Sequence, residues 1–177
     1  MSRKVLVVID MQNDFLTGAL ANEEGVKIIK DVKARIEDAE KENYVVLFTR
    51  DTHGENYMNT QEGRKLPVPH CLKGTEGWQI TEELLPYAEE DRILDKPAFG
   101  SPELPSWIRE KAGEDIEEIE LCGVCTDICV ISNAMILKGA FPEVPVRVKK
   151  HLCAGVTPES HCNALAAMEM CQVEVEE

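Results

Sequence analysis

No run in this chain approaches the roughly 20 consecutive apolar residues that a bilayer-spanning helix needs. That absence argues against a membrane protein. The apolar run Val5 to Ile9 is also too short for the core of a secretory signal and ends at an aspartate. Positive charge is scarce: 19 Lys and Arg against 33 Asp and Glu give a formal net charge of −14. Nucleic acid and anionic membranes would be repelled, so neither is expected as a partner, whereas a small neutral or cationic ligand is compatible. There is no internal repeat, low-complexity tract or Pro/Gly-rich linker. At 177 residues the chain fits one domain with a core of its own. The seven cysteines are an odd number without regular spacing, which reads as reduced thiols in a cytoplasmic protein rather than a disulfide framework.

What is present is a set of short, β-branched apolar runs, the pattern of strands covered on both faces. They fall at 4–10, 44–50, 119–124, 144–150 and 173–175, with a short sixth near Ile93 and Leu94. Helical spacing lies between them. Residues 25–42 carry Val26, Ile29, Val32, Ile36 and Ala39 at three- and four-residue intervals, and further helices are predicted over 102–113, 126–140 and 157–170. Thr157 suits the N-cap of the last and Pro158 its first turn. Strand alternating with helix predicts an α/β fold, a three-layer α/β/α arrangement around a mostly parallel sheet of five to six strands. A loop-rich insertion at about 51–88 interrupts the alternation and holds two of the four histidines.

Ligands of such sheets bind beyond the carboxyl ends of the strands. Asp10 closes the first strand, Lys96 follows the short element, which reads as central, and Cys129 stands in "GVCTDICV" at the mouth of a helix. A thiol near a helix N-terminus is expected to favour the thiolate. A carboxylate could take its proton, with a lysine holding that carboxylate ionised. On spacing alone each also fits a plainer role: a small core cysteine, a turn aspartate, a solvated lysine. Asp51 and His53, two apart after a strand, with His70 across a loop, form a carboxylate–imidazole mix that zinc, manganese or iron accepts.

Taken together, "VLVVIDMQNDF", "TRDTH", "VPHCLKGTEGW", "DKPAFGS" and "GVCTDICV" stand in an order that resembles the isochorismatase-like cysteine hydrolases, and within them the nicotinamidases. The resemblance runs nearly end to end. It implies a covalent route in which Asp10 is the general base for Cys129, Lys96 orients the pair, and water hydrolyses a thioester. It also implies an oxyanion site built from the main-chain N–H groups of Cys125 and Cys129, and a cis peptide bond at Val124–Cys125. A divalent metal, zinc first, would sit on Asp51, His53 and His70 and hold a pyridine nitrogen. Many relatives carry a further histidine where this chain has Asn59; Glu62 is the replacement ligand or else a solvated loop carboxylate. Phe15 is expected on the substrate ring, with Trp78 and Phe99 as further pocket walls.

The expected substrate is a small amide, nicotinamide first, with a ureido or carbamoyl compound as the rival. A noncatalytic binding domain of the same fold is the reading from another class. Cys122, Cys125, Cys153, Cys162 and Cys171 read as structural, and Cys71, beside His70, is the thiol to watch for metal or redox involvement. His151 and His161 fit no motif. The family spans monomers to rings, so a homo-oligomer is compatible with the sequence.

Overall fold

In the computed structural model, which describes residues 2–177, six strands form one sheet in the order β3-β2-β1-β4-β5-β6. They are β1 (Arg3–Ile9), β2 (Val45–Asp51), β3 (Ile93–Lys96), β4 (Ile116–Val124), β5 (Val146–Ala154) and β6 (Glu174–Glu176). Every pairing is parallel, not merely most of them. The strand holding Lys96 is an edge strand rather than the central one that the sequence suggests.

Period-two alternation divides β1 between two cores. Val5, Val7 and Ile9 pack with Leu104 and Ile108 of α4 (Leu104–Ala112), with α5 (Ile131–Ala140), and with Leu165 and Met168 of α6 (Pro158–Met170). Leu6 and Val8 face Leu16 of α1 (Asn13–Leu16), α2 (Glu23–Lys41) and the segment around Ile80 and Leu84. Asn22 caps α2 by accepting from the Glu24 N–H at 3.0 Å. Its buried face is Gly25, Ile28, Ile29, Val32, Ile36 and Ala39; Val26, expected on that face, is exposed. Fully burying each such aliphatic side chain contributes about 1.5–3 kcal/mol.

The chain order reverses direction across the sheet at β1, whose neighbours are β2 on one side and β4 on the other. This is the switch point where a crevice opens at the strand ends. Gly123 lets β1 and β4 close up there: its φ is +114°, and a Cβ would lie 2.1 Å from the Ile9 carbonyl oxygen. The helix expected over 126–140 begins as a wider π-helical turn, Thr126–Val130, before α5. No helix among the described residues is long and apolar enough to cross a membrane.

Candidate active site

Four strand ends deliver the side chains. Asp10 follows β1, Asp51 ends β2, Lys96 ends β3, and Cys129 lies in the π-helical turn after β4. Register places Asp51 beside Lys96. Asp10 adopts φ +48°, a left-handed conformation uncommon for a side chain other than glycine or asparagine, as the chain turns off the strand. Asp10 and Lys96 are fully buried, and Cys129 is nearly so.

The Lys96 ammonium is the hub. Its Nζ lies 2.6 Å from Asp10 Oδ2 and 3.4 Å from Asp51 Oδ1. It donates to the Ala98 carbonyl at 3.1 Å and to Cys129 Sγ at 3.6 Å. Thr49 donates to Asp10 Oδ1 at 2.7 Å, which fixes the carboxylate plane. Asp10 Oδ2 pairs with the ammonium through charge but carries no aligned hydrogen bond, so it retains a lone pair for another proton.

Burial dominates the proton affinities. It pushes the Asp10 carboxyl up against the pull of Lys96. It pushes the Cys129 thiol well above its ordinary value, aided by the Asp10 charge and opposed by Lys96. Burial would lower Lys96, but Asp10, Cys129 and Asp51 together hold it up. Burial thus opposes the thiolate that the helix position favours, and Lys96 works with the helix.

Beside this trio lies a second cluster. Asp51, His53 and His70 bring one donor atom each within 4.8 Å of one another. His53 Nε2 is 2.8 Å from Asp51 Oδ2, and His70 Nε2 is 3.6 Å from the same oxygen. The two histidines, 17 positions apart, meet because the His53 N–H donates to the Cys71 carbonyl at 2.9 Å and the Lys73 N–H to the His53 carbonyl at 2.9 Å. His70 Nδ1 donates to the Val68 carbonyl at 2.8 Å, leaving Nε2 to face the cluster. Glu62 sits on α3 (Gln61–Lys65) with Oε1 3.6 Å from His53 Nε2 and 3.7 Å from His70 Nε2. That oxygen is buried and has no hydrogen-bond partner. Two carboxylates and two imidazoles converging on one point, with an orphaned oxygen among them, fit a divalent cation. Cys71 lies outside this donor group; it is fully buried, and burial drives its thiol far up.

A cavity of about 50 Å³ separates the two clusters. Asp51, Glu62 and His70 face it from one side, Cys129 from another, and Phe15, Leu20, Leu66, Phe99 and Ile128 close it with apolar surface. Phe15 and Phe99 line it as expected, and the Phe15 ring centroid is 5.6 Å from that of His70. Trp78 does not. It is buried behind Asp51, with the Arg50 guanidinium 3.5 Å from its ring centroid and its Nε1 donating to Thr52 Oγ1 at 2.8 Å. Cys125, whose side chain reads as structural, is only partly buried, and the residue lines the cavity. The Val124–Cys125 peptide is cis.

Two buried amides hold the frame, Gln12 inside the first motif and Asn133 outside all of them. Gln12 Nε2 donates to the Asp51 carbonyl at 2.8 Å and to the Trp78 carbonyl at 2.9 Å, while its Oε1 accepts from the Asp51 N–H at 2.7 Å. Asn133 donates to the Cys129 carbonyl at 2.8 Å and the Phe99 carbonyl at 3.1 Å, and accepts from the Ser101 N–H at 3.0 Å. His161 is a satisfied structural group, bonded to Thr126 Oγ1 at 2.8 Å.

The chain is similar to known proteins along nearly its whole length. Residues 4–177 match the isochorismatase domain model. A Bacillus subtilis protein described as an uncharacterized isochorismatase family protein, PncA, is 34% identical over 93% of each chain. The nicotinamidase/pyrazinamidase of Mycobacterium tuberculosis is 28% identical over 97% of each. The crystal structure of Pyrococcus horikoshii pyrazinamidase in complex with zinc superposes with a TM-score of 0.81, at 26% identity and 99% coverage of both chains. With nearly its whole length matched by that domain, the chain belongs to the isochorismatase family.

Proposed function

We propose that the protein is an amidase that hydrolyses nicotinamide to nicotinate and ammonia through a thioester on Cys129. The observation that carries this is the apposition, across one small apolar cavity, of the Asp10–Lys96–Cys129 trio and a donor group suited to a divalent metal. Asp51, Glu62, His53 and His70 would hold the metal, zinc first. When bound, it supplies an anchor for the lone pair of a pyridine nitrogen, which fixes the ring relative to the thiol.

Burial favours the protonated thiol, so proton transfer accompanies attack. As Cys129 Sγ approaches the carboxamide carbon, its proton passes to Asp10 Oδ2, the carboxylate oxygen without an aligned hydrogen bond. The C–S bond forms and the carbonyl π pair moves onto oxygen, which accepts hydrogen bonds from the Cys125 and Cys129 main-chain N–H groups. Donors of this kind are typically worth about 10²–10³ in rate. The pair then collapses, the C–N bond breaks, and Asp10 gives its proton to the departing nitrogen, releasing ammonia. A water molecule next attacks the thioester as Asp10 takes one of its protons. The C–S bond breaks, Asp10 returns its proton to sulfur, and the acid leaves as nicotinate after losing its remaining proton to solvent. Lys96 holds Asp10 in place throughout and balances its charge.

The test is ammonia release from nicotinamide by the wild type and Cys129→Ala, with metal content measured on the same samples. Loss of activity in the variant, with about one divalent ion per chain, supports nucleophile and substrate together. A metal-loaded wild type inert towards nicotinamide would overturn the substrate.

A further inference from the structure

The 50 Å³ cavity is not closed on all sides. It shares Phe15, Leu20, Leu66, Cys125 and Ile128 with a cleft of about 840 Å³ that runs out to the surface. The two ends of the site therefore differ. Behind the thiol, Asp10, Thr49 and Lys96 are each 0% exposed, and none of them lines either space. The leaving nitrogen must face Asp10 to be protonated, so it points into closed protein. The acyl group lies on the other side of the carbonyl carbon, in the inner cavity, whose shared wall opens onto the cleft.

That cleft lies within the roughly 300–1,000 Å³ range of sites that bury drug-sized ligands. Its farther walls are small or apolar, including Ala19, Ala21, Val156 and Pro158. Glu23 and Glu24 also line it. These carboxylates, on a chain of net charge −14, disfavour an anionic occupant.

We propose that the outer cleft is a subsite for the acyl part of the substrate, so that the protein hydrolyses primary aromatic amides whose ring carries an apolar, neutral or cationic substituent. Amides substituted on nitrogen are not substrates, because the leaving-group side has no room. The inference rests on the amidase reading above and extends it from an unsubstituted pyridine to a class.

The test compares nicotinamide, 5-butylnicotinamide, 6-butylnicotinamide and N-butylnicotinamide with the metal-loaded protein, alongside Ala21→Trp and Val156→Trp. Both substitutions fall on exposed residues that line the cleft but not the inner cavity. At least one ring-butylated amide should match or exceed nicotinamide in kcat/KM, and N-butylnicotinamide should be inert. Either tryptophan should lower the ratio of ring-butylated to unsubstituted turnover about tenfold or more, since even one methylene in an apolar pocket is worth that much. The proposal is overturned if neither ring-butylated amide reaches about a tenth of the nicotinamide value, if the tryptophans leave the ratio unchanged, or if N-butylnicotinamide is hydrolysed comparably. Turnover of a ring-butylated amide without turnover of nicotinamide would sink the simpler substrate and keep the subsite. Inertness towards all four would sink both.

Discussion

Gln12 offers a measure of how far the metal cluster depends on the frame behind it. The side chain is fully buried and makes three hydrogen bonds of 2.7, 2.8 and 2.9 Å, two of them to the backbone of Asp51. Gln12→Met keeps most of the volume and removes every polar contact. It strips the Asp51 N–H, the Asp51 carbonyl and the Trp78 carbonyl of these partners. A buried polar group left unsatisfied costs about 1–3 kcal/mol. Some relaxation is expected, so the loss should be about 3–5 kcal/mol, against a total stability of about 5–15 kcal/mol for a typical domain. With the Asp51 backbone released, zinc affinity should also fall about 10- to 100-fold, the usual effect of losing an outer-shell partner. Urea denaturation and a zinc competition titration read the two quantities separately. A Gln12→Met protein within about 1 kcal/mol of wild type and with unchanged zinc affinity would refute the reasoning.

Asp10→Asn should lower ammonia release about 10²–10⁴-fold, since it removes the base while keeping the shape of the side chain. It should also destabilise the protein by about 3 kcal/mol in urea melts, because Lys96 loses its partner at 2.6 Å. Glu62→Ala should weaken zinc binding by at least about tenfold; unchanged affinity would remove Glu62 from the donor set. Chelation by EDTA should lower the thermal midpoint of the wild type, because a ligand present at 100 times its Kd stabilises by about 2.7 kcal/mol. Thr157→Ala breaks the reciprocal cap in which Thr157 Oγ1 accepts from the Ser160 N–H at 3.1 Å and Ser160 Oγ from the Thr157 N–H at 3.1 Å. The expected cost of about 1 kcal/mol should shift the midpoint by about 2–4 °C on a calorimetric scan.

The parallel sheet was legible because runs such as Val5 to Ile9 are apolar at every position, and only a strand covered on both faces demands that. The positions of Asp10, Asp51, Lys96 and Cys129 followed from motif order and from the rule that strand ends carry the chemistry. What escaped depended on partners distant in sequence. Gln12 stands inside the first motif, but its role does not show there, since its partners lie 39 and 66 positions away. Asn133 looks like a polar interruption of α5 until Phe99 and Ser101 come to it from 34 and 32 positions off. Trp78 is a candidate pocket wall in the sequence, but the Arg50 guanidinium packs on its ring away from the cavity. The opposing pull of burial on Cys129 was hidden for the same kind of reason: a helix position can be read from sequence, whereas complete burial of a thiol cannot.

The charges explain why so many ionisable groups can be buried together. Asp10 and Lys96 form a neutral pair with both members fully buried. Asp51 adds a negative charge at 3.4 Å from the same ammonium, and Glu62 adds another beside His53 and His70. Two neutral imidazoles with two carboxylates leave a formal surplus of −2 in the second cluster, and that is the complement of one divalent cation. Burying an unbalanced ion costs several kcal/mol even after relaxation. Lys96 offsets part of this for Asp51, whose carboxyl stays well below the ordinary range although burial pushes it up, because His53, His70 and Lys96 all favour its charged form. Burial would lower His70, but its bonds to Asp51 and the Val68 carbonyl hold it above its ordinary value. The nucleophile's base and the metal donors are thus joined through one ammonium. A change at either cluster alters the charge seen by the other, which is why variants on one side should be assayed for both turnover and metal content.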